Sequence, residues 1–296
     1  MTPGPSPAFA AIKSRYLFIG LVAVALIILI AYAIFIPFYD PVPTATVAEA
    51  VIGMALYVLI GAFLLLACWL AGVLGEVSLG GWPDRRQTWI YLSLGIPMIG
   101  IAMLGIYLLY LPLSYYAPDF VDAFVLEEIP LFLPGWDTRA LTVNGINILA
   151  MVVVGPIVEE VLFRGFLFNR LWQKYSLKTA VIISSVAFAL LHIEIIGGIV
   201  FGVVLALIYA RTHSLIGPIL IHMSNNALIA VLLLWDGAVT GTATGQTLAE
   251  FRGDWWMAAL GAVIGVPWIA WYSWTYLRQP ADPHPAAAET QPVEPE

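Results

Sequence analysis

Three stretches of this chain carry residue types that can do acid–base chemistry. GPIVEEVLFRG, from Gly155 to Gly165, holds Glu159, Glu160 and Arg164 inside an apolar run. FALLH runs from Phe188 to His192, and HMSNN from His222 to Asn226. A glutamate can take a proton from water, and an imidazole can hold that water or pass the proton on. An imidazole N–H beside an amide N–H can stabilise the oxyanion of a tetrahedral intermediate. That set suits hydrolysis of an amide. Cys68, and Ser184 and Ser185 two turns from His192, suit acyl-enzyme chemistry less well. The glutamate and two histidines Glu159, His192 and His222 could instead hold Zn²⁺ with one open position, and spacing alone leaves the metal question open.

The spacing within each stretch adds to this. On a helix Glu160 and Arg164 lie four apart with the acid N-terminal, the favourable order for an ion pair. Glu159 points about 100° away and lacks that partner. Gly155 is one turn earlier on its face and admits a close neighbour; Pro156 withdraws the N–H that would bond the Val152 carbonyl. A purely structural ion pair, with Glu159 protonated, explains this segment alone. Glu194, two residues past His192, reads as structural, and His213 beside Arg211 as a solvated corner residue.

The elements that must position these groups are membrane helices. Of 296 residues, 61% are hydrophobic and 10% charged, against about a quarter charged in soluble domains. Continuous apolar runs, not alternating ten-residue ones, predict helices and exclude a barrel. The expectation is an all-α integral membrane protein, a bundle of about eight transmembrane helices with a membrane-embedded catalytic cavity. The spans are expected near Tyr16–Phe38, Val47–Leu74, Thr88–Leu113, Leu141–Tyr175, Thr179–Ile196, Gly197–Arg211, Leu215–Trp235 and Trp255–Leu277. The fifth and sixth are expected to meet at a corner formed by Gly197-Gly198, and the cavity to lie between spans four, five and seven.

Lys13, Arg15, Arg85, Arg86, Arg170, Lys174, Lys178, Arg211 and Arg278 fall on one side of eight spans, which makes both termini cytoplasmic. The organisation expected is a cytoplasmic segment over 1–15, three N-terminal spans over 16–113, and an extracytoplasmic acidic loop with an interfacial helix over 114–140. A catalytic transmembrane unit over 141–278 and a disordered, Pro-rich cytoplasmic tail over 279–296 complete it. Measured from the basic residues of each span, Glu159 lies ~23 Å deep, His192 ~21 Å, Asn226 ~18 Å and His222 ~12 Å. Three helices therefore bring a carboxylate, an imidazole and an imidazole–amide pair to overlapping depths. A net charge of −7, with no basic patch, leaves the lipid bilayer as the evident partner and excludes nucleic acid.

EEVLFR, FALLH and HMSNN, in that order, resemble the Glu-Glu-x-x-x-Arg, Phe-x-x-x-His and His-x-x-x-Asn motifs of the CPBP (Abi, or type II CAAX-prenyl endopeptidase) intramembrane proteases. The resemblance covers about Leu141 to Trp235. It implies an eight-helix fold with a cytoplasm-accessible site in which Glu159 activates water with His192, and His222 and Asn226 stabilise the oxyanion. Glu160, Arg164 and Phe188 would support the site. The family has been described as zinc-dependent, while a glutamate mechanism without metal is the favoured one. The substrate expected is a peptide or lipidated protein, CAAX-type or a small peptide, at a bacterial plasma membrane. A non-proteolytic binding protein conferring bacteriocin immunity, and a proton-relay transporter, are the alternatives. No second copy of the Glu-Glu segment supports the transporter.

Overall fold

Backbone groups in hydrocarbon must bond within their own segment, and the chain meets this with helices. The computed structural model describes residues 45–77, 79–126, 131–240 and 246–277, and isolated helical positions between 19 and 30. The expected first span, the basic residues before it, Glu127 and Glu128 of the acidic loop and the Pro-rich tail lie wholly or largely outside these residues.

Helix α1 (Ala45–Leu70) is followed by α2 (Arg85–Ser93) and α3 (Gly95–Tyr116), which run nearly end to end. A short α4 (Pro118–Val121) with a following turn lies across the end of α3, where Val121 and Leu126 pack on Tyr107, Tyr110 and Phe251. Then come α5 (Thr138–Lys174), α6 (Leu177–Ala189), α7 (Ile195–Thr212), α8 (Ile216–Thr240), α9 (Leu248–Gly253) and α10 (Trp256–Tyr272). Local chemistry starts several of them. Asp84, Asp137, Ser176 and Thr247 each accept a backbone N–H from the first turn of α2, α5, α6 and α9, supplying partners the first turn cannot find in its own helix.

Among the described residues, six helical stretches are long and apolar enough to cross a membrane. Large apolar side chains on their outer faces are exposed, Leu65, Trp69, Leu108, Leu232 and Val263 among them. The chain is a multi-pass, all-α membrane protein.

The hairpin of α6 and α7 departs from expectation. Helix α6 ends at Ala189, and a turn over residues 190–194 precedes α7. Gly197 and Gly198 are not the corner; they lie inside α7. A Cβ at Gly197 would approach Ala102 Cα to 2.6 Å, and one at Gly198 would approach Ala189 Cα to 3.1 Å. The glycine pair lets α7 touch both α3 and α6, a packing use of glycine that is common between membrane helices. With 13 residues, α6 reaches only ~20 Å, short of a ~30 Å hydrocarbon core. The tip that carries His192 is tied to α3 by the Tyr110 hydroxyl, which donates to Ile193 O at 2.7 Å.

Candidate active site

Helix α5 is regular only in part. The turns over Leu149–Val154 and Val161–Phe168 are π-helical and flank the short α-helical segment Gly155–Glu160. Pro156 has no N–H to give, so the ladder must slip nearby, and π turns are frequent at functional sites. The freed carbonyls find side-chain donors. Asn226 Nδ2 gives a proton to Met151 O at 2.8 Å, and Asn169 Nδ2 lies 2.9 Å from Gly165 O. Asn169 is also 2.6 Å from the Tyr209 hydroxyl, and so ties α5 to α7.

The expected ion pair forms. Arg164 Nη1 stands 2.7 Å from Glu160 Oε1, and the two side chains are 1% and 0% exposed. The other arm of the guanidinium donates to Gly202 O on α7 at 3.2 Å. Its carbon lies 4.8 Å from the centre of the Phe188 ring. Phe188 is also the hub of the aromatic packing, with ring centres 4.5 Å from His192, 5.7 Å from His222 and 5.3 Å from Phe163.

Glu159 faces away from that pair, as the helical angle required. Its Oε2 lies 4.0 Å from His192 Nε2 and 3.8 Å from His222 Nε2. No hydrogen-bond partner satisfies this oxygen among the described residues. The residues expected at overlapping depths on α5, the α6–α7 tip and α8 therefore do meet, His222 included although its expected depth was only ~12 Å. Both imidazoles are oriented from behind. His192 Nδ1 is 2.9 Å from Phe188 O, and His222 Nδ1 is 2.9 Å from Glu160 Oε1. A carbonyl and an ion-paired carboxylate only accept, so both Nδ1 atoms carry the proton and both Nε2 atoms face Glu159. His222 is buried at 3% exposure, whereas His192 and Glu159 keep 27% and 17% of their side chains accessible. Asn226 lies one turn beyond His222 on α8. Having given one amide proton to Met151 O, it has one left to donate.

A zinc ion with ligands at about 2.0–2.2 Å in tetrahedral arrangement needs donor atoms roughly 3.4 Å apart. The two separations from Glu159 to the imidazoles are 3.8 and 4.0 Å. As placed, Glu159, His192 and His222 do not fit the ion, and no group of three His, Cys, Asp or Glu among the described residues does.

The cleft beside these groups is lined by Met98 and Ala102 of α3, by Phe188, His192 and Glu194 around the tip, and by residues of α7 and α8 that include Asn226. It lies between α3, the hairpin and α8. Helix α5, expected to form one wall, contributes no lining residue, because the imidazoles stand between the cleft and Glu159. Glu194, read from sequence as structural, lines this cleft. His213, read as a solvated corner, is half-buried, stacks on Trp172 and ends α7 in a left-handed conformation with φ 50°.

One neighbour of the site lies outside all three motifs. Tyr57 of α1 stands beside Gly155, one turn before Glu159 on α5. Its ring rests against Gly155, where a Cβ would come within 3.1 Å of Tyr57 Cζ. The close neighbour that Gly155 was expected to admit is this ring. Gly155 was a signal that something approaches, but nothing in sequence named Tyr57.

Comparison with known proteins agrees with the motif order. Residues 142–228 match the family described as type II CAAX prenyl endopeptidase Rce1-like. A Bacillus subtilis (strain 168) protein named as a candidate membrane peptidase, YdiL, is 33% identical over 90 residues, which are 29% of this chain and 37% of YdiL. The UPF0177 protein YaiH of Lactococcus lactis subsp. lactis (strain IL1403) is 27% identical over 136 residues, 45% of this chain and 54% of YaiH. The matches thus span between about a third and about half of those relatives' lengths. No solved structure matches. The segment that matches this family is the one that carries the three motifs.

Proposed function

We propose that the chain is an intramembrane endopeptidase that cleaves a peptide bond of a membrane-associated substrate, with Glu159 as general base. The observation that carries this reading is the convergence of Glu159 Oε2 with two imidazole Nε2 atoms at 3.8 and 4.0 Å, beside a cleft. A water oxygen at ~2.8 Å from each acceptor fits such separations. In this reading Glu159 takes a proton from that water while His192 Nε2 orients it, and the water oxygen bonds to the scissile carbonyl carbon. The carbonyl oxygen becomes an oxyanion held by Asn226 Nδ2–H and His222 Nε2–H. Because Nδ1–H of His222 is given to Glu160, Nε2 donates only when the ring is imidazolium. Collapse of the intermediate breaks the C–N bond, and the leaving nitrogen receives the proton from Glu159. The products are a carboxylic acid and an amine, and the acid's remaining proton passes to the amine to leave a carboxylate and an ammonium. No step needs a metal ion.

The match to the type II CAAX prenyl endopeptidase family and the exposed Leu190 and Leu191 beside His192 support a substrate held near the membrane, a CAAX-type lipidated end or a small peptide. The basic residues on one side and the bacterial relatives support a bacterial plasma membrane with both termini cytoplasmic.

The test compares new peptide termini in membranes that contain the wild type or Glu159→Ala at matched levels. Termini that vanish in the variant support the proposal and identify the substrate; identical profiles overturn it in favour of a binding or immunity role. Cleavage of the identified peptide should continue in a zinc chelator, and loss that added zinc restores would overturn the metal-free step.

A further inference from the structure

We infer that Tyr110 is a positioning residue for His192: its hydroxyl, bonded to Ile193 O, holds the turn over residues 190–194 where His192 Nε2 stands opposite Glu159. The inference rests on the proposed proteolytic roles of Glu159 and His192. His192 lies beyond the end of α6, so a turn and not a helix places its ring. Leu190, Leu191 and Ile193 of that turn are exposed, and their packing does little to hold it. Its backbone bonds stay within the hairpin: Leu191 N gives its proton to Phe188 O, His192 N to Ala189 O, and Ile195 N to Ile193 O. The His192 ring is bonded to Phe188 O in the same hairpin. These bonds shape the turn but do not refer it to the helices that carry Glu159 and His222.

Helix α3 supplies that reference. It meets the start of α7 closely enough that a Cβ at Gly105 would come within 2.7 Å of Gly197 N. Five residues further along α3, the Tyr110 hydroxyl donates to Ile193 O at 2.7 Å. The Tyr110 ring is 6% exposed and packs with Tyr107, Val121, Leu126 and Phe251, so the hydroxyl projects from a fixed base. The same helix forms a wall of the cleft through Met98 and Ala102. A ring kept for packing alone would be served as well by phenylalanine; the hydroxyl adds a donor at the carbonyl next to His192. Ile193 O keeps Ile195 N as a partner if that donor is removed. The loss would therefore free the turn without leaving a carbonyl unpaired, and its cost should fall on placement more than on stability. Tyr110 also lies outside the segment over 142–228 that matches the family.

The experiment is Tyr110→Phe, assayed on the peptide that spans the cleavage site found in the terminus comparison above. A small misplacement of a reacting group is costly, so kcat should fall roughly 10- to 100-fold while KM stays within about twofold. Amide hydrogen exchange should quicken at residues 190–194 and stay as in the wild type across α3, α5 and α8. In a His192→Ala background the same change should lower kcat by less than about twofold, because the ring it positions is gone. A general loosening of the bundle would lower kcat alike in both backgrounds. Replacement of Tyr110 by 4-aminophenylalanine, which keeps a donor, should recover most of the loss. Replacement by 4-methylphenylalanine, which fills the same place without one, should not; this pair stands even if Tyr110→Phe folds poorly. Wild-type kcat in the two proteins without a donor, or an equal loss with and without His192, overturns the inference while Glu159→Ala stays inactive. If Glu159→Ala itself remains active, the proteolytic reading fails and this inference falls with it.

Discussion

Arg164 gives the sharpest test of how the site is held together. Arg164→Met keeps most of the side-chain volume and removes the guanidinium. It strands the Glu160 carboxylate, 0% exposed, with His222 Nδ1 as the other group on Oε1, and it orphans Gly202 O. Breaking a buried pair from one side costs about 3–5 kcal/mol, a lost carbonyl partner about 1 kcal/mol, and the contact over Phe188 about 0.5–2 kcal/mol. These share one group and do not add, so the expected loss is about 4 kcal/mol. Arg164→Lys keeps the charge but loses the fork that reaches Glu160 and Gly202 together, and about 1–2 kcal/mol should go. The assay is reversible unfolding in mixed micelles, closed into a cycle with Glu160→Gln. Removing both charges strands neither, so the double variant should be more stable than the sum of the singles predicts by about 2–3 kcal/mol. A loss below about 1 kcal/mol for Arg164→Met, or a cycle additive within about 0.5 kcal/mol, would refute the claim that this pair is a buried, mutually dependent unit.

The two histidines should separate activity from stability. His192→Ala removes a partly exposed ring whose Nδ1 bonds Phe188 O, and should lower kcat about 10²- to 10⁴-fold while unfolding hardly changes; His222→Ala removes a buried ring from Glu160 and should lower both, as kinetics and micelle unfolding together would reveal. Gly197→Leu should sharply reduce folded yield on size-exclusion chromatography, because its Cβ has Ala102 Cα 2.6 Å away, whereas Gly145→Leu, with nothing within 4 Å, should be tolerated; equal yields would contradict the packing role of Gly197.

Charges in an apolar run are easy to see, because hydrocarbon makes each one costly. Glu159, Glu160, Arg164, His192 and His222 were all legible for that reason. The 100° step per residue was enough to separate a paired from an unpaired glutamate. The shared depth of Glu159 and His192 needed only the rise per residue and two basic markers. Glycine was misread at Gly197-Gly198, because in water a glycine pair commonly breaks a helix, whereas between membrane helices it lets backbones touch. The consequence spread: with the corner moved to 190–194, Glu194 came to line the cleft and the cavity changed walls from α5 to α3. Tyr57 was not legible. It is one aromatic among many on an apolar helix, and its partner lies about a hundred residues away with no local pattern to link them.

The arrangement also explains why this site has two adjacent glutamates. Glu159 and Glu160 ionised, with Arg164 cationic, leave one net negative charge in a layer that hydrates it poorly. An imidazolium at His222 brings the set to zero, the cheapest state for a group of charges in low dielectric. Glu160 Oε1 receives both Arg164 Nη1 and His222 Nδ1. Within the proposed mechanism, the same proton makes His222 Nε2 the donor that the oxyanion needs. In that mechanism, Glu160 shared between Arg164 and His222 lets one carboxylate anchor the fold and prepare the oxyanion site, while Glu159, outside the pair, acts as the base.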